Sequence, residues 1–282
     1  MPPRREALPK TLSRIARQQG LDQERLRRWV SFLAVCGVLE RAVSEGILDN
    51  YYLKGGVAME LRFAENARAT KDLDIGVAGD SAERLTLFQN AVSLGFDDFS
   101  FEVKAKPITM ERIDTIRLEL AVRYQTRSWQ TIDVDLGPAG TGGIELVDPQ
   151  IPGLAEMGLR TPTPVRCLSI SEQIAQKLHA CTGPYKKGRA RDILDILLME
   201  MLGQLDLAAI RSAAEQVFQQ RATHPFPPAV EIAPEWEPEL EALATNLGYP
   251  TTSATEIEAK FLAFVASLEA PGSPLSRKTD AL

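Results

Sequence analysis

The sequence predicts an α+β chain, α/β-like in its N-terminal half and helical in its C-terminal half. Three observations predict it. Apolar residues that alternate with period two, Leu73-Ile75-Val77, Ile116-Leu118-Leu120-Val122 and Ile132-Val134-Leu136, are confined to the first half. Proline and glycine accumulate between Gly137 and Pro164, the pattern of a long connection. Beyond that stretch apolar residues recur only at helical spacing.

From Asp22 to about Glu45, Leu26, Trp29, Val30, Leu33, Val38 and Val43 follow helical spacing, and Gly46 stands where that helix would stop. Tyr51 to Leu53 read as a short strand, Gly55-Gly56 as a turn and VAMELRF as a short helix leading to the Leu73 strand. Ser81 is the expected N-cap of a helix that ends at Gly95. The Ile116 and Ile132 runs are strands of one sheet. Ser169 with Glu172 three residues on forms a capping-box pattern, and Gly183-Pro184 ends the helix so begun. Another helix starts near Arg189 and runs through ILDILLMEML. Two or three more follow, interrupted by a proline-rich loop from His224 to Pro238, and the end after Pro271 reads as frayed. The expected division is a helical N-terminal region (1–45), an α/β domain (46–165), a helical domain (166–270) and a flexible tail (271–282).

Composition narrows the function. The 282 residues are 44% hydrophobic and 25% charged, which excludes disorder of the whole chain. No run approaches the roughly 18 apolar residues of a membrane span, and MPPRREALPK lacks a secretory signal's apolar core, so no membrane partner and a cytoplasmic location are expected. Cys36, Cys167 and Cys181 are odd in number and form no CxxC pair; with only His179 and His224 beside them, a zinc site is disfavoured. A metal would then sit on carboxylates.

The net charge of −6 and the pI near 5.2 argue against broad nonspecific nucleic-acid binding. The charge is uneven, however. The chain through Arg28 carries a net +5, a basic cluster (Lys177, Lys186, Lys187, Arg189, Arg191) lies mid-chain, and residues 231–269 carry a net −7.

Asp72 and Asp74 are the first residues that chemistry explains better than folding. At i and i+2 of a strand they project from one face, where like charges repel unless a cation joins them; hard oxygen donors of this kind suit Mg²⁺. QTIDVDLG offers a third carboxylate, Asp133, on another strand, with Asp135 sharing its face. Such a set can hold two Mg²⁺ ions that clamp the attacking and leaving oxygens of a phosphoryl or nucleotidyl transfer. Gly55-Gly56 opens a short helix, so its backbone N–H groups could receive phosphate, with Lys54 adding charge. In the helical half Lys177 falls between Ile174 and Leu178, and Asp192 and Asp195 share a helical face. Two readings stand for Lys177: a salt bridge between helices, or a contact with a triphosphate while Asp192 serves an acceptor hydroxyl. His179, on another face, is expected to be structural.

Taken together these segments resemble the AbiEii/AbiGii-type nucleotidyltransferase toxins of the DNA polymerase β-like superfamily. YYLKGGVAMELRF is similar to that family's strand-GG-helix opening, ATKDLDIGV to its (S/T)xDxD strand and QTIDVDLG to its later carboxylate strand. SISEQIAQKLHA resembles its lysine helix and GRARDILDILLM its (R/K)DxxD helix. The matching segments run in order from about residue 50 to 200.

The resemblance implies a bilobed protein with a mixed nucleotidyltransferase sheet and flanking helices. In it Asp72, Asp74 and Asp133 bind Mg²⁺, Lys54, Gly55 and Gly56 meet the phosphates of an NTP, and Lys177 and Asp192 close the site. Gly-Gly replaces the Gly-Ser of many polymerase β-like enzymes. Asp135 stands where relatives often carry a small residue, which leaves Asp133 and Asp135 both open as the third ligand. The implied function is that of a toxin, in a toxin–antitoxin or phage-defence pair, that adds nucleotides to an RNA such as the tRNA 3′ end and so blocks translation; the alternatives are nucleotidyl transfer to a protein or small-molecule hydroxyl, and a catalytically silent nucleotide-binding partner protein. Its implied partners are the NTP, the RNA and an antitoxin. The basic N-terminal helices and Lys186, Lys187, Arg189 and Arg191 are the expected RNA contacts.

Overall fold

In the computed structural model the chain is described over residues 8–104, 106–140, 142–159, 164–185 and 188–269. It forms two units, Met1–Ser169 and Ile170–Leu282. The first contains α1 (Leu8–Gln19), α2 (Gln23–Ser44), β1 (Tyr51–Lys54), α3 (Gly55–Phe63), β2 (Asp72–Val77), α4 (Ser81–Ser93), β3 (Phe99–Val103), β4 (Ile108–Met110), β5 (Thr115–Tyr124), β6 (Arg127–Pro138), β7 (Ile144–Val147), α5 (Leu154–Met157) and β8 (Val165–Leu168). The second contains α6 (Ile170–Thr182), α7 (Ala190–Leu202), α8 (Leu207–Arg221), α9 (Glu237–Leu247) and α10 (Ala254–Glu269).

One mixed sheet organises the first unit, in the order β3-β5-β6-β2-β1-β8-β7, with β4 also pairing β5. The pairs β2/β6 and β1/β8 are parallel and the others antiparallel. Alternation decides which face is dry. Leu73, Ile75, Val77, Leu118, Leu120, Ile132, Val134 and Leu136 all point to one side and are almost fully buried. Their core includes α2, whose Leu26, Trp29, Val30, Phe32, Leu33, Val35, Val38 and Leu39 are buried around most of its circumference. A helix that apolar belongs in a protein interior.

The structure departs from the sequence reading in several places. The leading helix read from Asp22 is α2, and a further helix, α1, precedes it across Gly20, which takes φ +69°. Asp80, not Ser81, caps α4: its carboxylate accepts the Glu83 N–H at 2.9 Å. The stretch from Gly137 to Pro164 carries β7 and α5, and VRCL just after it is β8, so the sheet continues to Leu168. Segments of four residues are too short to display a period. The tail 271–282 lies outside the described residues.

Two buried charges fix α3 against its surroundings. Glu60, 1% exposed, accepts from Arg25 Nε at 2.8 Å with one oxygen and from the Thr70 backbone N–H at 3.2 Å with the other. Arg25 also donates to the Ala64 and Ala67 carbonyls. The start of β2 is thereby tied to α2 and α3 just before Asp72.

In the second unit, α6 carries His179 and the loop after α8 carries His224, the two histidines of the chain. His179 accepts from Arg221 at Nδ1 (3.3 Å), which leaves its Nε2 proton for Thr223 Oγ1 at 2.9 Å. Thr223 then donates to His224 Nδ1, and His224 Nε2 to Thr182, whose hydroxyl donates to the Leu178 carbonyl. Burial first, then the positive charges of Arg221, His224 and Arg189, pushes His179 down to about 4. A depressed histidine pKa means the unfolded chain takes up the proton first, so stability falls as pH drops from about 6.5 toward 4. Urea unfolding of the wild type should therefore show a falling midpoint across that window. His179→Gln should flatten the dependence, and an unchanged slope would remove His179 as its source.

Candidate active site

The carboxylates stand on the sheet face opposite the core, in rows set by strand register. Asp72 pairs with Asp133, and Asp133 with Glu119 of β5. The neighbouring row runs Lys54, Asp74, Asp135, Arg117, Ile108 across β1, β2, β6, β5 and β4. Adjacent members are one inter-strand spacing apart, about 4.8 Å. Parallel pairing of β2 with β6 thus brings the two DxD segments side by side, which neither segment reveals alone.

The third row is built from small residues. A Cβ on Gly137 would stand 2.6 Å from Lys54 Nζ, and a Cβ on Gly76 would overlap the Tyr52 ring. Glycine in these strand interiors lets the Lys54 and Tyr52 side chains lie down on the backbone. The Tyr52 hydroxyl accepts the Gly140 N–H at 2.8 Å.

Gly55 opens α3 at φ +65°, and any Cβ there would overlap the Asp74 carboxylate. Both the backbone conformation and the close approach require glycine. A Cβ on Gly56 would meet the Thr70 side chain at 2.8 Å. Lys54, the N-cap residue of α3, makes no side-chain capping bond, and the Asp74 carboxylate lies against Gly55 at the positive end of the helix dipole.

The carboxylates are not equivalent. Asp135 is clasped by Arg117 in a bidentate pair, 2.8 Å to Nε and 2.6 Å to Nη2. Arg117 is held above its ordinary pKa first by Asp135, then by the charges of Asp72 and Asp133. A guanidinium beside three carboxylates shows that this face attracts cations. Among the described residues no three acidic, histidine or cysteine side chains converge into a metal-holding group, since Asp135 is turned to Arg117 and Asp74 lies against Gly55. Asp72 and Asp133 are exposed and directly opposed, hard oxygen donors whose chemistry fits Mg²⁺.

Lys177, Asp192, Arg189 and Arg191 belong to the second unit. Lys177 Nζ donates to Asp195 at 2.7 Å and to Asp192 at 3.1 Å, all three side chains being at most 10% exposed. Asp192 also accepts from Arg189 at 3.1 Å. The salt-bridge reading of Lys177 is therefore what its surroundings display, with both aspartates as partners. Arg189 is engaged by Asp192, Arg191 is exposed, and Lys186 and Lys187 lie outside the described residues. The basic N-terminal helices are less available than their charge suggests. Arg25 is held by Glu60, and Arg27 donates to the Trp129 carbonyl while stacking on the Trp129 ring.

A family model described as "Nucleotidyl transferase AbiEii toxin, Type IV TA system" matches residues 37–268. The chain belongs to the AbiEii nucleotidyltransferase toxin family. This toxin is thus a nucleotidyltransferase, with an NTP as substrate and an antitoxin as its counterpart. The match covers both units, including the helices beyond residue 205 that carry no recognisable motif. Among solved structures the toxin is similar to MenT4, a nucleotidyltransferase toxin of Mycobacterium tuberculosis H37Rv, at 17% identity and a TM-score of 0.60, over 93% of this chain and 90% of that one. That likeness bears out the mixed α+β nucleotidyltransferase fold. The antibiotic-resistance factor ANT(2″)-Ia also aligns, at 17% identity over 68% of this chain and 94% of that one, with a TM-score of 0.37. No curated protein sequence matches the toxin. No helix among its described residues is long and apolar enough to cross a membrane.

Sequence reasoning missed Arg117 and Glu119. Both occupy polar positions of the alternating run Ile116 to Val122, so the signal existed. Only the pairing of β5 with β6 turns those positions into neighbours of the aspartates.

Proposed function

We propose that the toxin transfers a nucleotide from an NTP to the 3′ hydroxyl of an RNA acceptor, the tRNA 3′ end being the first candidate, in an Mg²⁺-dependent reaction. The observation that carries this reading is the register pairing of Asp72 with Asp133 beside a glycine-opened helix start. Asp72, Asp74 and Asp133 would hold the metal, which when bound neutralises phosphate charge and lowers the pKa of the attacking hydroxyl. Asp133 is favoured over Asp135 as the third ligand, because Arg117 occupies both oxygens of Asp135.

The remaining groups act through their own chemistry. Backbone N–H groups at Gly55 and Gly56 and the Lys54 ammonium bind the NTP phosphates. Arg191 with Lys186, Lys187 and Arg189 contributes phosphate contacts to the acceptor.

The test is to incubate the protein with Mg²⁺, total tRNA and each labelled NTP in turn, beside Asp74→Ala. Label on RNA from the wild type only is the expected result, with loss of at least about a hundredfold in the variant. An Asp74→Ala protein that is folded and still active would overturn the assignment. Label on protein or on a small hydroxyl compound in place of RNA would move the acceptor to that class.

A further inference from the structure

The carboxylate face does not end at Arg117. β3 continues one residue past Val103, the Lys104 N–H donating to the Glu119 carbonyl at 2.9 Å, so Lys104 stands opposite Glu119 and in the same row as Asp133 and Asp72. Two inter-strand spacings, about 10 Å, separate it from Asp133. Lys106 follows on the connection to β4, and both lysines are exposed with no acidic partner among the described residues. β4 then places Ile108 opposite Arg117, 65% exposed, and the turn after it leaves Ile113 59% exposed.

Large aliphatic side chains that exposed, on an edge that also carries unpaired lysines, are unexplained by folding. They bury nothing in the core on the other face. The place of Ile108 is set by the same registers that set the aspartates, and Ile113 lies in the turn that joins β4 to β5.

We propose that this edge, Lys104, Lys106, Ile108 and Ile113, is where the acceptor RNA strand lies as its 3′ end meets Asp133. The inference rests on the reading that the acceptor is RNA, and it names a surface distinct from Lys186 to Arg191. The lysines meet phosphates next to the reacting nucleotide, and the isoleucines pack against an unstacked base or ribose. A basic track that follows the backbone is a common element of single-strand binding. Of the nearby acids, Glu102 is paired with Arg123, Asp114 with Arg84 and Asp135 with Arg117, which leaves Glu111 and Glu119 beside the two lysines. Two exposed ammonium groups thereby border an otherwise acidic site.

The experiment compares full-length wild type, Lys104→Ala/Lys106→Ala and Ile108→Ser/Ile113→Ser in the labelled transfer to tRNA. All four side chains are exposed, so both variants should match the wild type in melting temperature and in KM for the NTP. The lysine variant should raise the KM for tRNA at least tenfold. It should also flatten the dependence of log affinity on log salt by about 1.4, two contacts at about 0.7 each for a single strand. The isoleucine variant should raise the KM for tRNA with the salt slope unchanged. Equal KM and slope in wild type and lysine variant would overturn the proposal while leaving RNA transfer intact. Loss confined to the isoleucine variant, with a salt-independent wild type, would mark the edge as a protein-binding surface and overturn it too. A wild type that labels no RNA under any NTP removes the acceptor reading and this surface together.

Discussion

Asp133→Asn should lower nucleotidyl transfer by roughly a thousandfold, while Asp135→Asn lowers it by no more than about tenfold. The difference follows from what each carboxylate already holds. Asp133 is exposed, faces Asp72 across the parallel pair and has no ion pair among the described residues, so its charge is available to a cation. Removing one anionic ligand from a metal that neutralises phosphate forfeits several kcal/mol of transition-state stabilisation, about 1.4 kcal/mol per tenfold. Asp135 spends both oxygens on Arg117. Its amide keeps the shape and loses only a partly exposed pair, an effect of about 1 kcal/mol or less. Single-turnover transfer under saturating Mg²⁺ and NTP reads both directly. The reverse ranking would make Asp135 the third ligand and Asp133 a bystander.

Lys177→Met should destabilise the second unit by about 3–5 kcal/mol. The lysine sits between Asp192 and Asp195, and Asp195 is fully buried. Without it two carboxylates face each other in an apolar helix pair, the case in which breaking a buried pair is most harmful. Replacing the three together, Lys177→Met/Asp192→Leu/Asp195→Leu, should return most of the loss, because the desolvation penalty of all three charges vanishes with them. Urea unfolding followed by a far-ultraviolet signal measures each. If the single variant is as stable as the wild type, the triad is wetter than its burial implies. Activity of the restored triple variant carries separate information: a folded protein with no transfer places Lys177 in the chemistry, and a folded active one confines it to structure.

Much of this architecture was legible before any coordinates. Strands that carry one buried face announce themselves through Leu73-Ile75-Val77 and Ile132-Val134-Leu136, because a core on one side forces period two, and the same period puts the aspartates on the other side. The glycine pair was legible because few roles demand it. What stayed hidden depends on partners distant in sequence. β7 and β8 are too short to show a pattern, and Arg117 acquires meaning only from a strand eighteen residues away. Charge totals misled in one respect. The basic excess of the first 28 residues suggested an RNA surface, yet Arg25 and Arg27 are drawn inward by Glu60 and Trp129, interactions no local window can display.

Core and chemistry share a single strand register in this sheet, and that has a bearing on how safely a cell can make such a protein. Sliding β2 or β6 by one residue against its neighbour turns each side chain of that strand to the opposite surface. The slip would thrust aspartates into the oil of α2 and expose the leucines and valines that hold the layer together. A half-correct chain is then neither stable nor armed. One slip of register thus takes away the core and the carboxylate face together.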